Sequence, residues 1–213
     1  MTVPGEVLAG IQESEQQRGE KMRKLIASTY TTLDGVMNPV NWGELRSSEE
    51  DTKYSRDLLF DADLLLMGRA TYEFFAEFWP SRTSADDAPG APGMVDRINS
   101  MPKAVASTTL QGPLSWNATL IEGDVADGVA KLKQEPGQSI VMYGAGDLAR
   151  TLMQHGLLDE LRVLVHPVVW GSGEYIFRNK ADVPPLKLIG TIVFNSGVVL
   201  LTYQPSSAGE GLG

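Results

Sequence analysis

Ile140-Val141-Met142-Tyr143-Gly144-Ala145-Gly146-Asp147-Leu148-Ala149 is the stretch on which the reading of this chain turns. Its apolar, β-branched start predicts a short buried strand from Ser139 to Tyr143. A Gly-x-Gly bend follows, and then a helix from Asp147 to His155 that Gly156 ends. Glycine reaches positive φ and lets another group come close to the backbone. The first turn of a helix carries N–H groups with no partner inside the helix. Strand, glycine bend and helix N-terminus together suit a phosphate. The same pattern also serves as a tight turn with no ligand, so the motif needs support from elsewhere.

Gly144-Ala-Gly146-x-x-Ala149 also matches the fingerprint of a Rossmann unit. Such a unit wants an acidic residue at the end of the next strand to hold ribose hydroxyls. The next strand here ends Val165-His166-Pro167-Val168, without a carboxylate, and the bend lies two-thirds of the way along the chain. A Rossmann domain is disfavoured. The second informative stretch is Leu65-Leu66-Met67-Gly68-Arg69-Ala70-Thr71-Tyr72-Glu73. A strand delivers Gly68 and Arg69 to the mouth of a helix whose first turn contains Thr71. Arginine offers a planar set of donors matched to phosphate, and Thr71 adds a hydroxyl beside the positive end of the helix. Alone, these residues read equally as a surface arginine and a local helix cap.

Outward from these two stretches, apolar runs alternate with helical patterns. Strands are predicted over 24–32, 63–67, 103–107, 118–121, 161–169, 187–194 and 198–203. Helices are predicted over 47–60, 70–78 and 124–134, the second stopped by Pro80. Asp34-Gly35 turns the first strand into a loop through Asn38-Pro39, residues 81–93 form another loop, and Asn195-Ser196-Gly197 has hairpin-turn composition. Glu49, Glu50 and Asp51 read as a solvated acidic first turn. Short apolar strands separated by helices predict an α/β fold with a mostly parallel sheet covered on both faces. The closing hairpin adds antiparallel pairing at one edge. Residues 1–21 read as a flexible extension, 22–204 as one domain, and 205–213 as a disordered tail of linker composition.

The bulk composition narrows function further. The chain has 213 residues, 42% hydrophobic and 21% charged, which excludes disorder throughout. A net charge of −9 disfavours nucleic acid and anionic membranes as partners. The absence of cysteine removes disulfides, thiolate metal sites and cysteine nucleophiles, and two histidines are too few for a histidine-rich metal site. No run reaches the roughly 18 apolar residues of a membrane span, and no signal peptide is legible, so the expected location is the cytoplasm. A serine hydrolase needs a histidine base and a nucleophile elbow. His155 near a helix end and His166 before Pro167 fit neither, and both read as structural.

Six blocks in order give the chain a family likeness: Thr32-Leu33-Asp34-Gly35, Met67 to Glu73, Val105 to Leu110, Tyr143-Gly144-Ala145-Gly146, Gly156 to Leu161, and His166 to Gly173. Over about residues 22–204 the sequence resembles the dihydrofolate reductase-like proteins. The likeness is to the branch sharing its fold with the reductase domain of riboflavin-biosynthesis deaminase-reductases. The resemblance implies a three-layer fold and NADPH as hydride donor to a small, heterocyclic substrate that is pterin-, flavin- or pyrimidine-like. Carried over by position, Gly68, Arg69 and Thr71 would hold cofactor phosphates, and Gly144, Ala145, Gly146, Asp147 and Leu148 would line the diphosphate and nearby ribose. Ser107 and Thr108 would sit at the adenosine end, near the 2′-phosphate. Ala27, Ser28 and Gly35 would flank the nicotinamide. The sequence departs from the pattern at Thr108, where dihydrofolate reductases often carry an arginine.

On the substrate side, Asp34 leaves the first strand towards the expected cleft and could accept hydrogen bonds from a heterocycle or deliver a proton; an ordinary Asp-Gly turn is the competing reading. Trp42 could close over the ring, or simply pack in its loop. No residue is identified as catalytic, since hydride chemistry belongs to the cofactor. A non-catalytic dinucleotide-binding module remains the alternative to an enzyme. A homodimer is expected, built on the segment 161–169 and the closing hairpin.

Overall fold

The apolar runs become strands because each is long enough to cross a sheet and too short for a helix core. The structure, a computed structural model, describes residues 22–37, 47–177 and 183–206. In chain order it contains β1 (Leu25–Thr32), α1 (Glu49–Phe60), β2 (Ala62–Gly68), α2 (Arg69–Phe78), α3 (Met94–Ser100), β3 (Lys103–Ala106) and β4 (Ala118–Leu120). Then come α4 (Val125–Gln134), β5 (Ser139–Tyr143), α5 (Asp147–Gln154), β6 (Glu160–His166), β7 (Leu186–Val193) and β8 (Val199–Pro205).

All eight strands join one sheet in the order β4-β3-β2-β5-β1-β6-β8-β7. Pairing is parallel from β4 to β6 and antiparallel where β8 meets β6 and β7. Neighbouring residues on a strand face opposite sides, which splits the core in two. Leu25, Ala27, Leu66, Ile140 and Met142 pack against Val129 of α4 and Ala149, Leu152 and Met153 of α5. Ile26, Leu65, Met67 and Val141 pack against Leu58 and Leu59 of α1, Tyr72 of α2 and Ile98 of α3. Leu65 and Leu66 are both fully buried, one in each layer, and each such leucine contributes about 2 kcal/mol by leaving water. This is the predicted three-layer α/β arrangement.

Three expectations change. Helix α3 is not predicted: it has seven residues, its apolar anchors are Val95 and Ile98, and its start depends on Asp87 accepting the Gly93 and Val95 amides. That is too little sequence to show a period. Strand β6 stops at His166 rather than at residue 169, because Pro167 has no N–H to continue the ladder. Being flanked by β1 and β8, β6 also has no free edge for a second subunit; the outer edge belongs to β7. The flexible extension at 1–21, the turn Asn38-Pro39 and Trp42 fall outside the described residues. So does the tail beyond residue 206, whereas β8 itself reaches Pro205.

Candidate functional site

Parallel strands bring their C-terminal ends to one edge of the sheet, and the glycine bends lie there together. The registers pair Gly68 with Ala106, Leu66 with Met142, and Ser28 with Tyr143. The Gly144 amide donates to the Ser28 carbonyl at 2.9 Å, and there β5 ends. Strand β1 runs on to Thr32 beside β6. A notch therefore opens between the second half of β1 and the bend at 144–146, where β5 breaks off while β6 continues.

Two helices begin at this edge. Gly68 is the N-cap of α2 and Gly146 that of α5, and neither cap supplies a side-chain acceptor to the first-turn amides. Gly144 has φ +94°, which disfavours any side chain. A β-carbon built there would approach the Thr71 hydroxyl oxygen to 3.8 Å, so the two bends face each other. A β-carbon on Gly68 or Gly146 would meet no atom within 4 Å. Converging amide donors, two positive helix ends and open space at the caps fit a diphosphate.

The remaining predicted residues divide by position. Arg69 is exposed and pairs with Glu73 at 3.3 Å, a contact weak enough to exchange for a better anion. Asp147 is exposed and pairs with Arg150. Leu148 is half-buried, while Ala145 and Ala27 are fully buried in the core shared with α4 and α5. Ser28 lies on the opposite face, under α1. Ser107 follows β3 and accepts hydrogen bonds from the Thr109 and Leu110 amides, next to the exposed Thr108. Gly35, with φ +84°, lies beyond the end of β1, where its carbonyl accepts from the Ile176 amide.

Asp34 is occupied. Its carboxylate accepts from the Thr32 hydroxyl at 2.5 Å, the Gly171 amide at 2.7 Å and the Trp170 amide at 3.3 Å. These bonds latch the exit of β1 to the loop after β6. The Thr32 hydroxyl first, and the Gly171 amide next, hold this carboxyl below the usual carboxylate range. These bonds favour the ionised form of the Asp34 carboxyl.

The acidic first turn of α1 is also not simply solvated. Asp51 is buried, forms the capping box with Ser48, and accepts from the Ser196 hydroxyl at 2.8 Å. Glu50 accepts from the Asn195 amide at 2.9 Å. Both acids pin the β7–β8 turn, because a distant hairpin happens to dock where the helix offers its caps.

Sequence reasoning missed a polar cluster under α1. It joins Ser28 of β1, Tyr54 of α1, Tyr143 of β5 and Arg162 of β6, with Ser28 in register with both Tyr143 and Arg162. Arg162 donates Nε and Nη2 to Glu160 at 3.0 and 2.7 Å, and Glu160 also takes Lys24 at 2.9 Å. Burial pushes the Tyr54 and Tyr143 phenols up, so both stay neutral. Residues so scattered leave no signal in the chain. Among the described residues no helix is long and apolar enough to cross a membrane.

The fold is dihydrofolate reductase-like. A dihydrofolate reductase from Enterococcus faecalis complexed with NADP(H) shares the fold at a TM-score of 0.53, with 16% identity, over 85% of this chain and 95% of that one. The diaminohydroxyphosphoribosylaminopyrimidine deaminase/5-amino-6-(5-phosphoribosylamino)uracil reductase of Thermotoga maritima shares it at a TM-score of 0.59, with 15% identity. That match spans 92% of this chain and 63% of the Thermotoga chain. The chain belongs to the RibD C-terminal domain family, which matches residues 23–200. It is similar to the uncharacterised protein YyaP of Bacillus subtilis (strain 168), with 32% identity over 185 residues, 86% of this chain and 96% of YyaP.

Proposed function

We propose that this chain is an NADPH-dependent reductase that passes a hydride to a small heterocyclic ring of the pterin, flavin or pyrimidine kind. The observation that carries the reading is the convergence of two uncapped helix N-termini, those of α2 and α5, beside a notch between adjacent parallel strands. Membership of the RibD C-terminal domain family and the fold shared with an NADP(H)-binding reductase support it.

In this reading the first-turn amides from Arg69 to Thr71 and from Asp147 to Leu148 hold the diphosphate, with the backbone of Gly144 to Gly146 pressed against it. Arg69 leaves Glu73 for the diphosphate, which as a whole carries two negative charges against one on the carboxylate. Ser107 and Thr108 meet the adenosine end, just past the strand that pairs with Gly68. Ala27 offers its backbone and Ser28 its hydroxyl along the notch, with Gly35 at its far rim, where the nicotinamide would lie. NADPH, when bound, supplies the hydride, and the protein contributes position and exclusion of water. Asp34 acts here by holding the rim of the notch in place, and any direct contact with substrate comes through that latch. The working unit is a homodimer joined through β7, whose Leu188, Ile189, Ile192 and Val193 are exposed at the edge of the sheet.

Titrating the protein with NADPH while following tryptophan fluorescence tests the cleft, and decay of the nicotinamide absorbance across pterins, flavins and quinone-like carbonyls tests turnover. Quenching followed by oxidation with at least one acceptor is the expected result. Binding without oxidation of any acceptor would leave a dinucleotide-binding module in place of an enzyme, and no binding would reject both.

A further inference from the structure

Three tyrosines gather on the α1 side of the sheet: Tyr30 from β1, Tyr54 from α1 and Tyr143 from the end of β5. Tyr30 is paired with the Ser55 hydroxyl at 2.9 Å. The other two hydroxyls are shut off from solvent and meet hydrogen-bond geometry with no group among the described residues. Tyr54 lies near enough to Ser28 and Arg162 to feel both electrostatically, yet neither contact closes into a proper hydrogen bond. Buried polar atoms in folded proteins nearly always find well-formed hydrogen bonds, so two phenols in one cluster without one require a reason.

The surroundings say what kind of partner is missing. The carboxylate of the cluster, Glu160, is saturated, one oxygen by Lys24 and the other by the Arg162 fork. A cationic or amino ligand would meet the Arg162 guanidinium and find no free carboxylate beside it. A carbonyl oxygen has two lone pairs, which suit two converging O–H donors. Tyr143 directly precedes Gly144, and its register partner Ser28, buried under α1, stands at the base of the notch, so the phenols lie beneath the place where the proposed reductase would hold its acceptor. Their elements are rigid: Tyr143 is on a central strand, and its ring packs against Phe75 at 6.0 Å between centroids.

We infer that Tyr54 and Tyr143 select the substrate, their hydroxyls donating to a carbonyl oxygen on the molecule to be reduced. The inference rests on the reductase reading above. A site built to hydrogen-bond a substrate oxygen rejects the analogue lacking it, because its own donors are then left unpaired.

Tyr54→Phe and Tyr143→Phe test this, each removing one oxygen and keeping the ring. The probe is lumazine, a bicyclic ring with two carbonyls, bound to NADP+-saturated protein so that no turnover intervenes. Quinoxaline, of similar size and without carbonyls, is the control. Each substitution is expected to weaken lumazine roughly three- to tenfold, leave NADP+ affinity within about twofold, and leave quinoxaline binding unchanged or tighter. The melting temperature should stay close to that of wild type, since no well-formed hydrogen bond within the protein is lost. Equal lumazine affinity in wild type and both variants overturns the inference. So does wild-type protein that binds NADP+ and ignores lumazine, or a marked fall in melting temperature showing that the hydroxyls serve the fold. Failure to bind NADP+ at all would instead overturn the reductase reading.

Discussion

Adding one methyl group to either glycine that caps α2 or α5 tests the diphosphate cradle directly. Gly68 has φ −78° and ψ 167°, and Gly146 has φ −79° and ψ −148°, so neither needs the left-handed region that alanine avoids. A β-carbon at either would meet nothing within 4 Å. The fold therefore has little to lose. Alanine is a poorer N-cap than glycine by up to about 1 kcal/mol. Restricting the unfolded chain contributes about 0.4–1 kcal/mol in the other direction. The two nearly cancel, and Gly68→Ala and Gly146→Ala should melt within about 4 °C of wild type.

A diphosphate would register the change much more strongly. The methyl occupies space its oxygens need to reach the first-turn amides, and each charge-assisted hydrogen bond lost costs about 1.5–3 kcal/mol. Losing one raises the Kd for NADPH about 10- to 100-fold. Gly144→Ala provides the contrast, since its φ of +94° should cost about 1–2 kcal/mol in the fold itself. Tryptophan quenching reads the Kd, and thermal unfolding reads the stability. If both cap variants keep their melting temperature and bind NADPH like wild type, the open caps do not hold the diphosphate and the reasoning is refuted. A large loss of stability in either would equally refute the claim that the caps face open space.

Other outcomes follow from contacts around the site. Because the folded Asp34 carboxyl titrates below its unfolded value near 3.8, its contribution is present above that pH and fades as pH falls through the folded value. Asp34→Asn should lower the denaturant midpoint at neutral pH, with the gap closing below about pH 4; a gap that persists into strong acid would contradict the latch. Asp51→Ala removes a buried cap and its bond to Ser196, at a cost of about 1–3 kcal/mol. Hydrogen exchange at residues 195–197 should speed up with it, and unchanged exchange there would rule out the clamp. Ile192→Lys places a charge on the exposed edge strand and should turn a dimer into a monomer by light scattering. A monomeric wild type at micromolar protein would remove the dimer altogether.

Local signals were readable in the chain. The runs 139–143 and 63–67 announce strands because central parallel strands bury both faces and stay largely apolar. The glycines at 68 and 144–146 announce bends because backbone approach and helix starts are properties of a few adjacent residues. Helix α3 was illegible, its two anchors spanning less than a period. The burial of Asp51 could not be read from Ser48-Glu49-Glu50-Asp51 alone, since a capping box looks the same whether a hairpin lands on it or water does.

What the sequence determined by itself was the α/β alternation and the presence of two phosphate-suited bends. Only the tertiary structure decided that these bends share one edge, that Asp34 is spent on a latch, and that Tyr54, Tyr143 and Arg162 meet beneath α1. Strand order is set by which buried faces pack together, a long-range outcome. Residues far apart in the chain become neighbours only after that choice is made.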